Sequence, residues 1–134
     1  MIDEDLSYSV IGAFFAVQKG MGMGFLENVY TAALEYELRK RGHEVLRELS
    51  VSIFYDGCEI ARQRLDLVVD GKLIVEVKAT RALHEDAKPQ LYNYLRATNL
   101  EVGLLLHFNS GGGDFYRLEL ANDKKVRAVI PQSP

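Results

Sequence analysis

The hydrophobic period changes from helical to alternating near residue 42, and that change restricts the fold more than any other feature. Before it, apolar residues recur at helical spacing. Leu6, Val10, Phe14 and Val17 define a stripe over about 3–19, and Leu26, Val29, Ala33 and Tyr36 a second over about 25–41. Gly20-Met21-Gly22-Met23-Gly24 breaks the first helix, and Gly42 is the expected stop of the second. After it the pattern alternates: Val51, Ile53 and Tyr55 interleave with Ser52 and Phe54, and Asp56-Gly57 marks a turn. A strand region over about 59–69 leads to a second turn at Asp70-Gly71, then to a strand over about 72–79. A third helix is expected over 89–97, opening on Pro89, with Leu91, Leu95 and Thr98 as its stripe. The run 102–108 is nearly continuously apolar, as in a strand covered on both faces, and 115–120 reads as an edge strand. The order α-α-β-β-β-α-β-β predicts an α/β fold, a mixed sheet of about five strands with helices on both sides.

The chain has 134 residues, which suits one domain over 1–134, with the polar, Pro-ended stretch 121–134 expected to be a loose tail. At 48% apolar and 26% charged it is neither disordered nor fibrous. Cys58 is the single cysteine, so no internal disulfide forms, which suits a reducing, cytosolic setting. The longest apolar stretch, Val10 to Val17, falls far short of the about 20 residues of a membrane span. The acidic Asp3-Glu4-Asp5 flank is unlike a signal peptide. The expectation is a soluble, cytoplasmic protein with no membrane partner. A net charge of −3 argues against a general electrostatic grip on nucleic acid and leaves a local basic groove open.

Chemistry concentrates in Arg64–Lys78. Glu76 and Lys78 are two apart on one strand and project from the same face, while Leu73, Val75 and Val77 point the other way. An isolated Glu-x-Lys pair is ordinarily a solvated ion pair. Asp66 changes that reading only if the hairpin has the right parity. A two-residue Asp70-Gly71 turn sets Asp66 opposite Val75, facing away from Glu76. A three-residue Val69-Asp70-Gly71 loop sets it opposite Ile74, about 7 Å or less diagonally from Glu76 on the same face. Two carboxylates converging there need a cation between them, and all-oxygen ligation suits Mg²⁺ or Mn²⁺. On the second helix Gly24, Glu27, Tyr30 and Leu34 share a flank beside the apolar stripe, so Glu27 is expected to be partly buried. Gln90, Asn93, Tyr94 and Ala97 form a similar flank on the third helix. Arg62, Arg64, Lys78, Arg81, Lys88 and Arg96 surround the same region and could form a phosphate-binding rim. Tyr30, Arg64, Arg81 and Tyr94 are the candidate substrate contacts.

Gly24-Phe25-Leu26-Glu27-Asn28-Val29-Tyr30 resembles the signature of the GxxExxY protein family, a branch of the PD-(D/E)xK nuclease-like superfamily. Asp66, Glu76-Val77-Lys78, Gln90-Leu91-Tyr92-Asn93-Tyr94-Leu95 and the strand Val102-Gly103-Leu104-Leu105-Leu106 follow in that family's order, so that the resemblance spans about 5–120. It implies a restriction-endonuclease-like fold and metal-assisted hydrolysis of a phosphodiester in DNA or RNA. Under it Asp66 and Glu76 are the metal-binding carboxylates, helped by the carbonyl of Val77. Lys78 orients or helps deprotonate the attacking water or stabilises charge developing on the phosphate, Glu27 completes or supports the metal shell, and Gln90 holds the strand residues or contacts the substrate backbone. Leu65 stands where the superfamily's proline precedes the aspartate, Gln18 where many relatives carry His, and Met23 where a proline is usual. Pro89 before Gln90 is also unusual and predicts that the helix begins there.

Two other readings compete: a non-catalytic module that keeps this fold to bind nucleic acid or protein, and an oligomeric scaffold pairing through 115–120. A chain this short has little room for a specificity domain, so low sequence specificity, a homodimer, or a partner protein supplying the target is expected. The glycines at 20, 22 and 24 follow a helix and read as a helix-helix turn, and Gly111-Gly112-Gly113 as a hairpin loop. His43, His84 and His107 lack metal spacing, and Cys58 lacks a His partner.

Overall fold

The computed structural model describes residues 1–126, and the change of period becomes two helical layers around one sheet. The elements are α1 (Glu4–Met21), α2 (Glu27–Lys40), β1 (Val45–Tyr55), β2 (Cys58–Val69), β3 (Leu73–Lys78), α3 (Ala87–Ala97), β4 (Val102–His107) and β5 (Asp114–Glu119), followed by a short 3-10 turn at Asn122–Lys124. The strands lie in the order β1-β2-β3-β4-β5. Neighbours are antiparallel except β3 and β4, which are parallel and joined through α3. This is the expected mixed five-strand sheet.

One face is covered by α1 and α2, whose Val10, Phe14, Leu34 and Leu38 pack on Leu73, Val75, Val77, Leu104 and Leu106. The other is covered by α3, whose Leu91 and Leu95 pack on Leu65, Ile74 and Leu105. With both faces covered, β4 is buried along its whole length, which is why it reads as an unbroken apolar run. α3 sits close over it because residue 103 is glycine: a Cβ there would meet Leu91 Cδ1 at 2.8 Å. Phe115 stands 42% exposed on β5, the edge strand expected there.

Several boundaries differ from expectation. β1 begins at Val45, ahead of the visible alternation, because its Arg47-Glu48 pair interrupts the apolar pattern. α3 begins at Ala87 rather than Pro89, since a proline in the first turn lacks only an N–H that the helix leaves unused. The start of the expected loose tail is pinned: Lys125 Nζ donates to the carbonyls of Thr98 (2.8 Å) and Leu100 (2.7 Å), and Asn122 N–H to Glu101 Oε2 (2.8 Å). The rest of that tail, 127–134, lies outside the described residues.

The α1–α2 connection is a helix-helix turn, as predicted, and Tyr30 organises it by donating its hydroxyl to the Gly22 carbonyl at 2.6 Å. Gln18 is also a brace. Its amide donates to Asn109 O at 3.0 Å and accepts from Asn109 N–H at 3.2 Å, tying α1 to the β4–β5 hairpin. Among the described residues no helix is long and apolar enough to cross a membrane.

Candidate active site

The β2–β3 turn decides where the carboxylates meet. Asp70 (φ 53) and Gly71 (φ 64) are both left-handed, and Lys72 N–H donates to Val69 O at 3.0 Å. The ladder closes only at Val69 opposite Leu73, so the loop is Asp70-Gly71-Lys72. Its length is odd, as a shared carboxylate face requires, but it falls one residue later than the loop expected. With Leu67 opposite Val75, the next position sets Asp66 opposite Glu76 itself rather than Ile74.

At that level the strands part. Val77 N–H donates to Asp66 Oδ2 at 2.8 Å, and Asp66 N–H to Glu76 Oε1 at 3.3 Å. The two carboxylates thus replace the backbone acceptors of the ladder, and the regular β2–β3 pairing extends no further than Leu67. A twist in the β1–β2 ribbon adds to the divergence. Glu48, beside the Arg47–Leu67 rung, has φ 55, a left-handed conformation uncommon for a side-chain-bearing residue in a strand. Across it, Leu67 packs in the α1/α2 core, whereas Leu65, two residues away, packs in the α3 core. In an untwisted strand both would face one way.

Glu76 is 5% exposed. Burial first, and then the charge of Asp66, push its pKa up to about 8, against the opposing pull of the Asp66 N–H and Lys78. Glu27, at the first position of α2, is exposed as a residue, which corrects the expectation of partial burial. Its carboxyl is nonetheless raised by desolvation and by Asp66, while Lys78 and the Ala79 amide lower it. From the other face Tyr94 is buried, and its phenol is raised by burial and by the charges of Glu76 and Asp66, with Gln90 acting the opposite way. Gln90 itself is exposed. Asp66, Glu76, half-buried Lys78 and Glu27 therefore meet at one fork, with Tyr94 and Gln90 beside it.

The other expected contacts differ in exposure. Tyr30 is fully buried, stacked on Phe108 at 4.6 Å, with its hydroxyl committed to Gly22, so it holds the loop and presents nothing to a substrate. Arg64 is exposed on β2, two residues from Asp66, and Arg81 is exposed after β3. Three cations of the expected rim are engaged: Arg62 with Glu59 (3.2 Å), Lys88 over the Tyr116 ring (3.7 Å), and Arg96 with Asn93 (3.1 Å). A cation absent from that reading, Arg47, lines a cavity of about 170 Å³ with Glu27, Asn28, Thr31, Glu48 and Asp66. The polar pair Arg47-Glu48 between Leu46 and Leu49 was its only signal in the sequence.

Among the described residues no three His, Cys, Asp or Glu side chains gather into a ready-made metal cage. The donor set still suits Mg²⁺, which keeps several waters and takes one or two protein carboxylates. Asp66 and Glu76 supply two. A strand residue aims its N–H and C=O to the same side, so the carbonyl of Val77, whose N–H meets Asp66, faces the fork as well. A mutually repelling carboxylate pair, one member held as the acid by burial, is what a divalent cation would relieve.

The family model of the PD-(D/E)XK nuclease superfamily matches residues 4–117. No curated protein matches the chain. A solved structure described as the crystal structure of SSO0001 is similar over 70% of this chain, with a TM-score of 0.52 and 16% sequence identity, a likeness of fold. The match takes in 50% of that protein, so this chain spans about half its length.

Proposed function

Since the chain belongs to the PD-(D/E)XK nuclease superfamily, we propose that it is a divalent-metal-dependent nuclease hydrolysing phosphodiester bonds in DNA or RNA. The single observation that carries the reading is the fork, where Asp66 and Glu76 face each other and take the place of the strand ladder. Within the superfamily, the Gly24–Tyr30 signature and the order of the later motifs favour the GxxExxY branch.

In this reading Asp66, Glu76 and the Val77 carbonyl hold Mg²⁺ or Mn²⁺. When bound, the ion supplies Lewis-acid polarisation of the phosphoryl oxygen and lowers the pKa of water. Lys78, on the same strand face as Glu76, positions the attacking water or balances charge growing on the phosphate. Glu27 reaches the fork from α2 and orients the water shell beside Asp66. Tyr94 and Gln90 support Glu76 from α3, and Arg64 and Arg81 contact the substrate backbone.

The test is cleavage of single- and double-stranded DNA and RNA by wild type, Glu76→Ala and Lys78→Ala, in Mg²⁺, Mn²⁺ and EDTA. Metal-dependent cleavage that falls by at least about 10²-fold in both variants is expected, as when a group acting in the transition state is lost. A folded wild type that neither cleaves nor binds metal in calorimetry would overturn the reading in favour of a binding module.

A further inference from the structure

We propose that Arg47 is a substrate-phosphate contact, gripping the phosphodiester beside the one being cut; this rests on the nuclease reading and extends it. Arg47 sits on the β1 rung opposite Leu67, one position from Asp66, so the backbone holds it next to the fork. Its side chain is 32% exposed and lines the 170 Å³ cavity that also opens onto Glu27 and Asp66.

Its internal contacts are long. Arg47 reaches Glu35 Oε1 at 3.4 Å and the Asn28 carbonyl at 3.4 Å, both at the weak end of hydrogen bonding. Glu35 keeps a second cation, Arg39 at 3.0 Å, so releasing Arg47 leaves no carboxylate unpaired. The guanidinium is therefore free to turn to a stronger partner. Glu27, Glu48 and Asp66 set three carboxylates against this one cation around the cavity. A bare phosphate is repelled there, and one that arrives where a divalent ion has offset the carboxylates meets a planar donor suited to two of its oxygens.

The experiment measures binding of a labelled duplex and a labelled single strand in Ca²⁺ and in EDTA, across a salt series. Wild type is compared with Arg47→Ala, Arg47→Lys and Glu35→Gln, with unfolding midpoints alongside. Arg47→Ala should weaken binding in Ca²⁺ by roughly tenfold or more. It should also shallow the dependence of log K on log salt by about 0.9 for duplex or about 0.7 for single strand. Arg47→Lys should keep the slope, and Glu35→Gln should keep both affinity and slope. Should the alanine variant not fold, Arg47→Gln keeps much of the stem without the charge and gives the same readout. An unchanged slope for Arg47→Ala, beside a wild type that cleaves, overturns the inference and leaves the nuclease reading standing. Equal losses from Arg47→Ala and Glu35→Gln make Arg47 a structural brace and overturn it as well. A wild type that binds and cleaves nothing removes the nuclease reading, and this inference with it.

Discussion

Replacing Glu76 by Gln should make the metal-free protein more stable at alkaline pH while abolishing the proposed cleavage. The folded state pushes the Glu76 pKa from 4.5 up to about 8, chiefly through burial and then through the Asp66 charge. Between those values the native protein keeps a proton that the unfolded chain has released. The stabilisation is therefore complete below about pH 4.5 and is lost as pH rises toward 8. One proton corresponds to a slope of at most about 1.4 kcal/mol per pH unit, so the loss across the window reaches a few kcal/mol. Because Asp66 and Glu76 share the fork, the transition belongs to the pair, and its midpoint is a property of both.

Urea unfolding in EDTA from pH 5 to pH 8.5 measures the effect, and the difference between wild type and Glu76→Gln cancels all other titrations. The wild type should lose stability with rising pH relative to the variant, whose amide can still accept the Asp66 N–H. Saturating Mg²⁺ should remove the wild-type decline, since a cation binds the ionised pair and displaces the proton. Parallel pH profiles for the two proteins in EDTA would refute the argument that Glu76 is held as a buried acid at an ion-poor fork.

Two further substitutions test assignments of structure. Tyr30→Phe removes the hydroxyl bond to Gly22; it should cost about 1 kcal/mol in urea unfolding and leave cleavage at the wild-type rate, whereas a selective loss of activity would return Tyr30 to the substrate site. Gly103→Ala places a methyl at 2.8 Å from Leu91 Cδ1; α3 must lift or Leu91 must turn, and about 1–3 kcal/mol of destabilisation is expected by the same measurement.

Much of the fold was legible because periodicity and turn chemistry agree. Helical stripes up to Gly42, alternation after it, two Asp-Gly turns and the Leu91/Leu95 stripe behind Pro89 account for the element order, and the apolar run at 102–108 already implied helices on both faces of β4. The pairing of β2 with β3 was harder, since the dipeptide Asp70-Gly71 marks a turn without saying whether Lys72 belongs to the loop or to β3. That one residue moves Asp66 from opposite Val75 to opposite Glu76. Glu48 is harder still: nothing in the composition of Leu46-Arg47-Glu48-Leu49 announces a left-handed residue at a strand rung, so neither the start of β1 nor the place of Arg47 is legible there.

The irregularities cluster around Asp66. The positive φ of Glu48, the missing ladder bonds and the buried acid Glu76 each depart from what local preference or packing would choose and lie within one or two rungs of one another, while the late turn, three rungs away, sets the register that brings them together. Regular pairing through Asp66 and Glu76 would satisfy the backbone with ordinary acceptors and leave both carboxylates idle. The fork instead makes the carboxylates serve as backbone acceptors, so their orientation is set by Val77 and Asp66 amides rather than by solvent. Local strain of this kind persists only where the surrounding structure over-determines it. Here the Asp66 and Val77 amides fix the two carboxylates, and Glu27 from α2 and Tyr94 from α3 feel their charge. The fork is therefore least readable from sequence at the very residues that make it, and the irregularity of the pairing marks it better than any single motif does.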